Sequence, residues 1–234
     1  MKIAIMQPYF MPYIGYFQLI HAVDKFVIYD DVNFIKQGWI NRNNILLNGK
    51  NHLFSIPLSD AGSFKKINEI EINEKLFPKW KEKFFKTLEV AYKKAPYYIE
   101  ISSMMSNLLD NKSVKIIDLI YQSLFEVCNY IGITTQIERT SSIYQNVELS
   151  KEERLIDICK KENADIYINP LGGQELYKKE YFEKNNISLF FIQSNNIEYQ
   201  QFTDNFVPWL SIVDVLMFCS PKRICEILNQ YKLI

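Results

Sequence analysis

Ile3-Ala4-Ile5-Met6-Gln7-Pro8-Tyr9-Phe10-Met11-Pro12-Tyr13-Ile14-Gly15-Tyr16-Phe17, read together with Phe26-Val27-Ile28-Tyr29-Asp30-Asp31, decides the fold. Ile3 to Met6 is a short, sharply bounded apolar run, the signature of a buried strand. Two prolines and four aromatics then interrupt regular structure, and Phe17, Leu19, Ile20 and Val23 follow Gly15 at helical spacing. A second apolar run ends in Asp30-Asp31. Strand, turn, helix and strand within about 30 residues is a βαβ unit, whose crossover should be right-handed. Ligands of such units bind at the carboxyl ends of the strands, here Gln7-Pro8 and Asp30-Asp31.

Outward from that unit the pattern continues. Asn48-Gly49 between apolar runs predicts a β-hairpin over about 44–57. Residues 58–74 read as a loop with a short strand at Ile67 to Ile72. Helices are predicted from Phe77 to near Pro96, over 97–110 and over 113–131, with a break at Asp110-Asn111-Lys112 and a stop at Gly132. Ile133 to Ile137 reads as a strand. Ser150 and Glu153 form a capping box opening a helix whose inner face is Leu155, Ile158 and Cys159. Asp165 to Asn169 is a strand, 174–185 helical, and Ile187 to Gln193 another strand. Leu210 to Phe218 and Pro221 to Tyr231 are the last helices, with Pro221 in a first helical position. The expectation is one α/β domain over 1–234, built on a five-stranded parallel, doubly wound, Rossmann-like sheet. The hairpin and the helices form an insert at about 43–131.

The chain of 234 residues balances 27 Lys+Arg against 27 Asp+Glu. A neutral chain lacks the basic excess that drives nucleic-acid binding, so no nucleic-acid partner is expected. Four cysteines without a CxxC pair, and two histidines, make no zinc set. No apolar run is long enough to cross a bilayer and no signal peptide is evident, so a cytoplasmic protein with reduced cysteines is expected.

Several residues carry possible chemistry. Adjacent Asp30 and Asp31 should point to opposite faces, so no tight carboxylate dyad is expected. One faces the crevice and the other caps a turn, although solvated turn formation alone explains both equally well. Lys36 and Arg42 flank Gly38 amid Trp39, Asn41 and Asn43, a dense donor set beside the expected crevice. Arg grips an anion with two parallel bonds, and Lys supplies a movable charge. Asn169-Pro170-Leu171-Gly172-Gly173 runs from a strand toward a helix and should offer backbone N–H groups to an anion, without being a phosphate-loop fingerprint. Arg154 is either solvated or aimed at the crevice. Asp214, inside an apolar helix, must be paired or hydrogen-bonded if buried. Arg42 or Lys36, a backbone group, or an exposed polar stripe are its alternatives. Tyr9, Phe10, Tyr13 and Tyr16 cluster where a ring or sugar can stack.

These blocks resemble the WbqC-like family: Met6-Gln7-Pro8-Tyr9 with Pro12 to Phe17, Phe26 to Val32, Lys36 to Asn43, Leu155 to Cys159 and Phe206 to Leu216. The resemblance implies a bacterial protein of surface-polysaccharide (O-antigen) synthesis acting on a nucleotide-linked sugar. A more distant similarity is to nucleotidyltransferase-like folds, in which a strand, an HxGH turn and a helix open an ATP-binding sheet. Here the tetrad is Tyr13-Ile14-Gly15-Tyr16, keeping the glycine and lacking both histidines; no KMSKS loop follows, although Ser150-Lys151 precedes a helix. The resemblance implies a transferase or ligase adding a small acyl or aminoacyl group to a nucleotide-linked amino sugar. ATP or another nucleotide is the one cofactor it suggests. Tyr13, Gly15 and Tyr16 would form the nucleotide turn, and Gln7, Pro8, Tyr9, Gly172 and Gly173 would be among the residues binding the substrate or nucleotide. Lys36 and Arg42 would neutralise phosphates or an oxyanion, and Asp30 would act as base or orienter. A non-catalytic sugar-nucleotide-binding or assembly protein is the competing reading, and nucleotidyl transfer a third.

Overall fold

A computed structural model of the protein describes residues 1–110 and 112–234. In chain order its first half contains β1 (Lys2–Met6), α1 (Ile14–His21), β2 (Lys25–Ile28), β3 (Arg42–Leu47), β4 (Lys50–Ser55), β5 (Leu58–Ser59), β6 (Glu71–Ile72), α2 (Phe77–Tyr92), α3 (Tyr98–Asp110) and α4 (Ile116–Ile131). The second half contains β7 (Gln136–Glu138), α5 (Lys151–Lys161), β8 (Ile166–Pro170), α6 (Lys179–Glu183), β9 (Ser188–Ser194), α7 (Ile212–Phe218), α8 (Pro221–Leu228) and β10 (Tyr231–Leu233). Asn111, inside the expected break between α3 and α4, lies outside the described residues.

The central sheet runs β10-β9-β8-β1-β2-β7. Its β9, β8, β1, β2 and β7 are mutually parallel, and β10 is antiparallel to β9. The expected five parallel strands thus acquire a sixth, where Tyr231 was expected to end a helix. Asn229 caps α8 early, which frees Tyr231 to Leu233 to pair with Ser194 to Ile192. From β1 the chain steps to β2 and β7 on one side, then returns to β8 and β9 on the other. The winding therefore reverses between β1 and β8, the place where open parallel sheets leave a crevice.

Both faces of the sheet are buried. Ala4, Phe26, Ile28, Ile168 and Ile192 belong to one apolar cluster with α1, α4 and α8, whereas Ile3, Ile5, Val27, Tyr167, Leu189 and Phe191 join α5 and α6 in another. This period-two division follows from alternating side chains on each strand. On the second face Lys25 is buried between Glu162 at 2.7 Å and Glu138 at 3.5 Å.

The hairpin forms as expected, with Asn48 and Gly49 at φ 51° and 72°. Positive φ at both central residues gives the turn the twist of its strands. The capping box on Ser150 and Glu153 is present, and Gly132 closes α4 at φ 76°. Three boundaries differ from expectation. Of the strand expected at Ile67 to Ile72 only Glu71–Ile72 pairs, after a single helical turn at Ile67–Glu69. Residues 174–185 hold only the five-residue α6, and the strand after Gly132 starts at Gln136, because Ile133 turns into the core instead.

Candidate functional site

A cavity of about 540 Å³ opens at the carboxyl ends of β1, β8 and β9, against the first turn of α1. Tyr13 to Tyr16 form one wall, Pro170 to Gly172 another, and Gln193 to Asn196 a third. The irregular segment between β9 and α7 covers it through Ile197, Tyr199, Phe206, Pro208 and Trp209. This volume suits a small-molecule ligand. Among the described residues no Asp, Glu, Lys, Arg or His lines it. Burial pushes the phenols of Tyr13, Tyr16 and Tyr199 upward, so at neutral pH all three are uncharged donors and acceptors.

Local sequence explains the geometry. Tyr13 is the extended N-cap of α1 and has no side-chain cap. A Cβ on Gly15 would lie 2.3 Å from Tyr13 Cε2 and 2.8 Å from Ser194 Oγ, so only glycine lets the helix start meet the end of β9. Gln18, fully buried, accepts from Ser194 Oγ at 2.5 Å and donates to the carbonyls of Ile227 and Gln230. It ties the cavity floor to α8 and β10. Gly173 is equally constrained, since a Cβ there would fall 1.8 Å from Asn169 Nδ2, whereas Gly172 faces open space.

The expected site residues divide. Tyr13, Gly15, Tyr16 and Gly172 meet in the cavity. Gln7 sits just outside, its carbonyl accepting from Tyr16 OH at 2.8 Å; Tyr9 packs on Tyr16 with ring centroids 5.6 Å apart, and Pro8 is buried. Asp30 is at the same end of the sheet as Gln7, because Met6 pairs with Ile28. The 30–43 segment nevertheless does not line the cavity.

Asp30 and Asp31 are both buried and, contrary to the opposite-face expectation, share one partner. Strand pairing stops at Tyr29, and the bend that follows brings both carboxylates to Ser141. Asp30 Oδ1 also accepts from Thr140 Oγ1 at 2.8 Å and Ser141 N at 3.0 Å. Burial raises its pKa despite these bonds. Asp31 is ion-paired with Arg154, whose guanidinium lies 4.7 Å from the Tyr29 ring centroid and whose Nε donates to Asn146 at 2.8 Å. Arg154 is thus neither solvated nor in the cavity; it is committed within the core. Asp30 also edges a charged depression of about 380 Å³ with Lys115, Asp118 and Arg139.

Arg42 holds its own loop. Its Nε donates to Gly38 O at 2.9 Å, its Nη2 to Gln37 O, and its Cζ lies 5.7 Å from the Trp39 ring centroid. Lys36 is exposed. Asn41 donates to Ile56 O at 2.7 Å, closing the open end of the hairpin, and Asn43 donates to Met11 O at 2.8 Å, fixing the hairpin to the rest of the chain. The donors of Asn41, Arg42 and Asn43 go into main-chain carbonyls.

Asp214 is fully buried but pairs with neither Arg42 nor Lys36. Its carboxylate accepts from Tyr92 OH at 2.7 Å, Tyr199 OH at 2.6 Å and Gln201 Nε2 at 2.8 Å. Burial raises its pKa against those bonds. Arg42 is committed to the carbonyls of Gly38 and Gln37, and Lys36 is exposed on that same loop, so neither cation meets Asp214.

Ser194, Asn195, Asn196 and Trp209 line the cavity, and sequence reasoning names none of them as a site residue. The available signal is positional: β9 is also a parallel strand, and its carboxyl end belongs to the same crevice as that of β1. For Trp209 the signal is its place in the Phe206 to Leu216 block that carries the family resemblance.

A mixed α/β protein with a mostly parallel sheet and a ligand-sized cavity at the strand ends is what fold and site define. Its family is identified by comparison: the profile of the WbqC-like protein family matches residues 7–226, and the chain belongs to that family. The uncharacterized protein Rv1507c of Mycobacterium tuberculosis is 29% identical over 218 residues, covering 92% of each chain. No solved structure gives a significant match. No helix among the described residues is long and apolar enough to cross a membrane.

Proposed function

We propose that this WbqC-like protein binds a nucleotide-linked amino sugar of bacterial surface-polysaccharide synthesis and transfers a small acyl or aminoacyl group to it. The observation that carries the binding step is the cavity at the carboxyl ends of β1, β8 and β9, against the uncapped first turn of α1. Main-chain N–H groups at a helix start favour a phosphate, and aromatic walls suit a ring. In this reading a nucleotide is the recognised portion of the ligand, and ATP is the co-substrate that activates the acyl group. Asp30, outside the cavity but at the same end of the sheet, is the group to which this reading assigns proton acceptance, since its pKa is raised and it borders the depression formed with the start of α4 and the residues after β7. Lys36 is the mobile cation assigned to the acceptor's charge.

One observation favours a second reading, a binding or assembly protein without turnover: no acid or base lines the cavity among the described residues. Thermal melting with UDP-N-acetylglucosamine, UDP, ATP and N-acetylglucosamine tests binding. Ligand at a hundred times Kd should stabilise the fold by about 2.7 kcal/mol. No shift with any nucleotide or nucleotide sugar at millimolar concentration overturns the proposal. Where binding is found, Asp30→Asn separates the readings: lost transfer with retained binding supports catalysis.

A further inference from the structure

Trp209 has features that its place in a surface loop does not require. It is 71% exposed, yet its backbone sits at φ 61°, a region that large side chains avoid. The residues after it hold it there. Ser211 Oγ donates to Met11 O at 2.7 Å, Ser211 N to Asn44 O at 2.8 Å and Ile212 N to Pro12 O at 2.8 Å. Strain that the surroundings enforce on an exposed aromatic concentrates at ligand sites. The indole lies edge-to-face with Tyr13, centroids 5.8 Å apart, and both rings line the cavity. Asn195 and Asn196 line the cavity just after β9; an amide carries a donor and an acceptor together, and the Asn196 donor has only a long contact, 3.4 Å, to Glu198 Oε1.

We infer that Trp209 is the stacking platform for a nucleobase, whose edge is read by Asn195 and Asn196. This deepens the proposed function by naming the portion of the ligand that enters the cavity, and it rests on that reading. An uncharged lining matches an uncharged heterocycle, and a paired donor and acceptor match the edge of a base. Base stacking tolerates different bases because each has a flat face. Affinity that rests on a neutral ring should change little with salt, unlike binding through lysines and arginines.

The test is titration of the full chain with uridine, cytidine, adenosine, guanosine and thymidine, and with UDP-N-acetylglucosamine and methyl N-acetylglucosaminide. Indole emission and calorimetry are both read. At least one nucleoside should bind and quench emission. Trp209→Ala should weaken it about ten- to a hundredfold, the range for removing one stacked aromatic. Trp209→Phe should stay within about threefold of wild type but lose most of the quench. Because Trp209 is exposed, circular dichroism should show all variants folded. Equal nucleoside affinity in wild type and Trp209→Ala overturns the inference while leaving the proposed function standing if UDP-N-acetylglucosamine still binds. Binding of the methyl glycoside without any nucleoside places a sugar on the platform and overturns it too. Nucleosides that bind through Trp209 without any nucleotide sugar binding support the inference and sink the sugar-nucleotide reading instead.

Discussion

Single residues set the cavity's shape by what they exclude. Gly15 is squeezed by two side chains, Tyr13 and Ser194, and no backbone atom is among its nearest contacts. Gly15→Ala should therefore cost about 1–3 kcal/mol, the range for overpacking, measured by urea denaturation. Removing the ring that the new methyl meets, in Gly15→Ala/Tyr13→Ala, should recover a good part of that loss; strictly additive effects would show that the crowding lies elsewhere. At Trp209 the stress is in the main chain. Glycine adopts positive φ freely, so Trp209→Gly should be more stable than Trp209→Ala by about 1 kcal/mol although both lose the ring. Arg42 represents a third kind of constraint. Its fork holds two carbonyls of its own loop, and its loss should loosen residues 35–42 in hydrogen exchange without changing affinity in the cavity.

At the scale of elements, the cover between β9 and α7 is fixed by a buried charge. Gln201 donates to Asp214 and also clamps its own loop, accepting from Val207 N at 2.8 Å and donating to Val207 O at 3.1 Å. Asp214 and Asp30 both have raised pKa values, largely through burial. Between the ordinary carboxylate value of 3.8 and each raised value, the folded state holds more protons than the unfolded one. Their contribution to stability is full below 3.8 and is lost as pH rises through the folded-state values. Asp214→Asn should therefore flatten the fall in melting temperature on raising pH from about 4, relative to wild type; an unchanged profile would mean Asp214 titrates normally. How much of this the residue pattern discloses depends on the kind of force involved. Hairpin, capping box and the parallel strands follow from local rules: Asn48-Gly49 needs positive φ, Ser150 caps, and Ile3 to Met6 must be buried. Tyr231 to Leu233 carries no such mark, because a three-residue edge strand is made by the partner it finds. The fates of Asp30, Asp31 and Asp214 depend on Ser141, Tyr92, Tyr199 and Gln201, and long-range partners leave no trace in spacing. The donors of 36–43 point toward a site by composition, and main-chain carbonyls claim those of Asn41, Arg42 and Asn43.

For the whole molecule, β10 completes the sheet beside the cavity. Ile234 and Phe191 exchange both backbone hydrogen bonds at 2.9 and 3.0 Å, and Asn195 N donates to Gln230 O at 2.9 Å. Lys232→Pro would break this ladder, since proline offers no N–H. It should lower the melting temperature, promote self-association through the bared edge of β9, and weaken binding by releasing Asn195; sedimentation and titration report the last two. The other edge, β7, is only three residues long and includes Glu138, so it offers little template for pairing. The Tyr92 hydroxyl reaches farther still. It accepts from Leu46 N in the hairpin at 2.8 Å while donating to Asp214, which in turn holds the cover. Hairpin, α2, α7 and cover thus share one proton-ordering chain. In chimeras between WbqC-like proteins, the stretch from β3 to α2 is consequently not an exchangeable cassette. A graft will keep its cavity closed only if Tyr92, Tyr199, Gln201 and Asp214 are transplanted together.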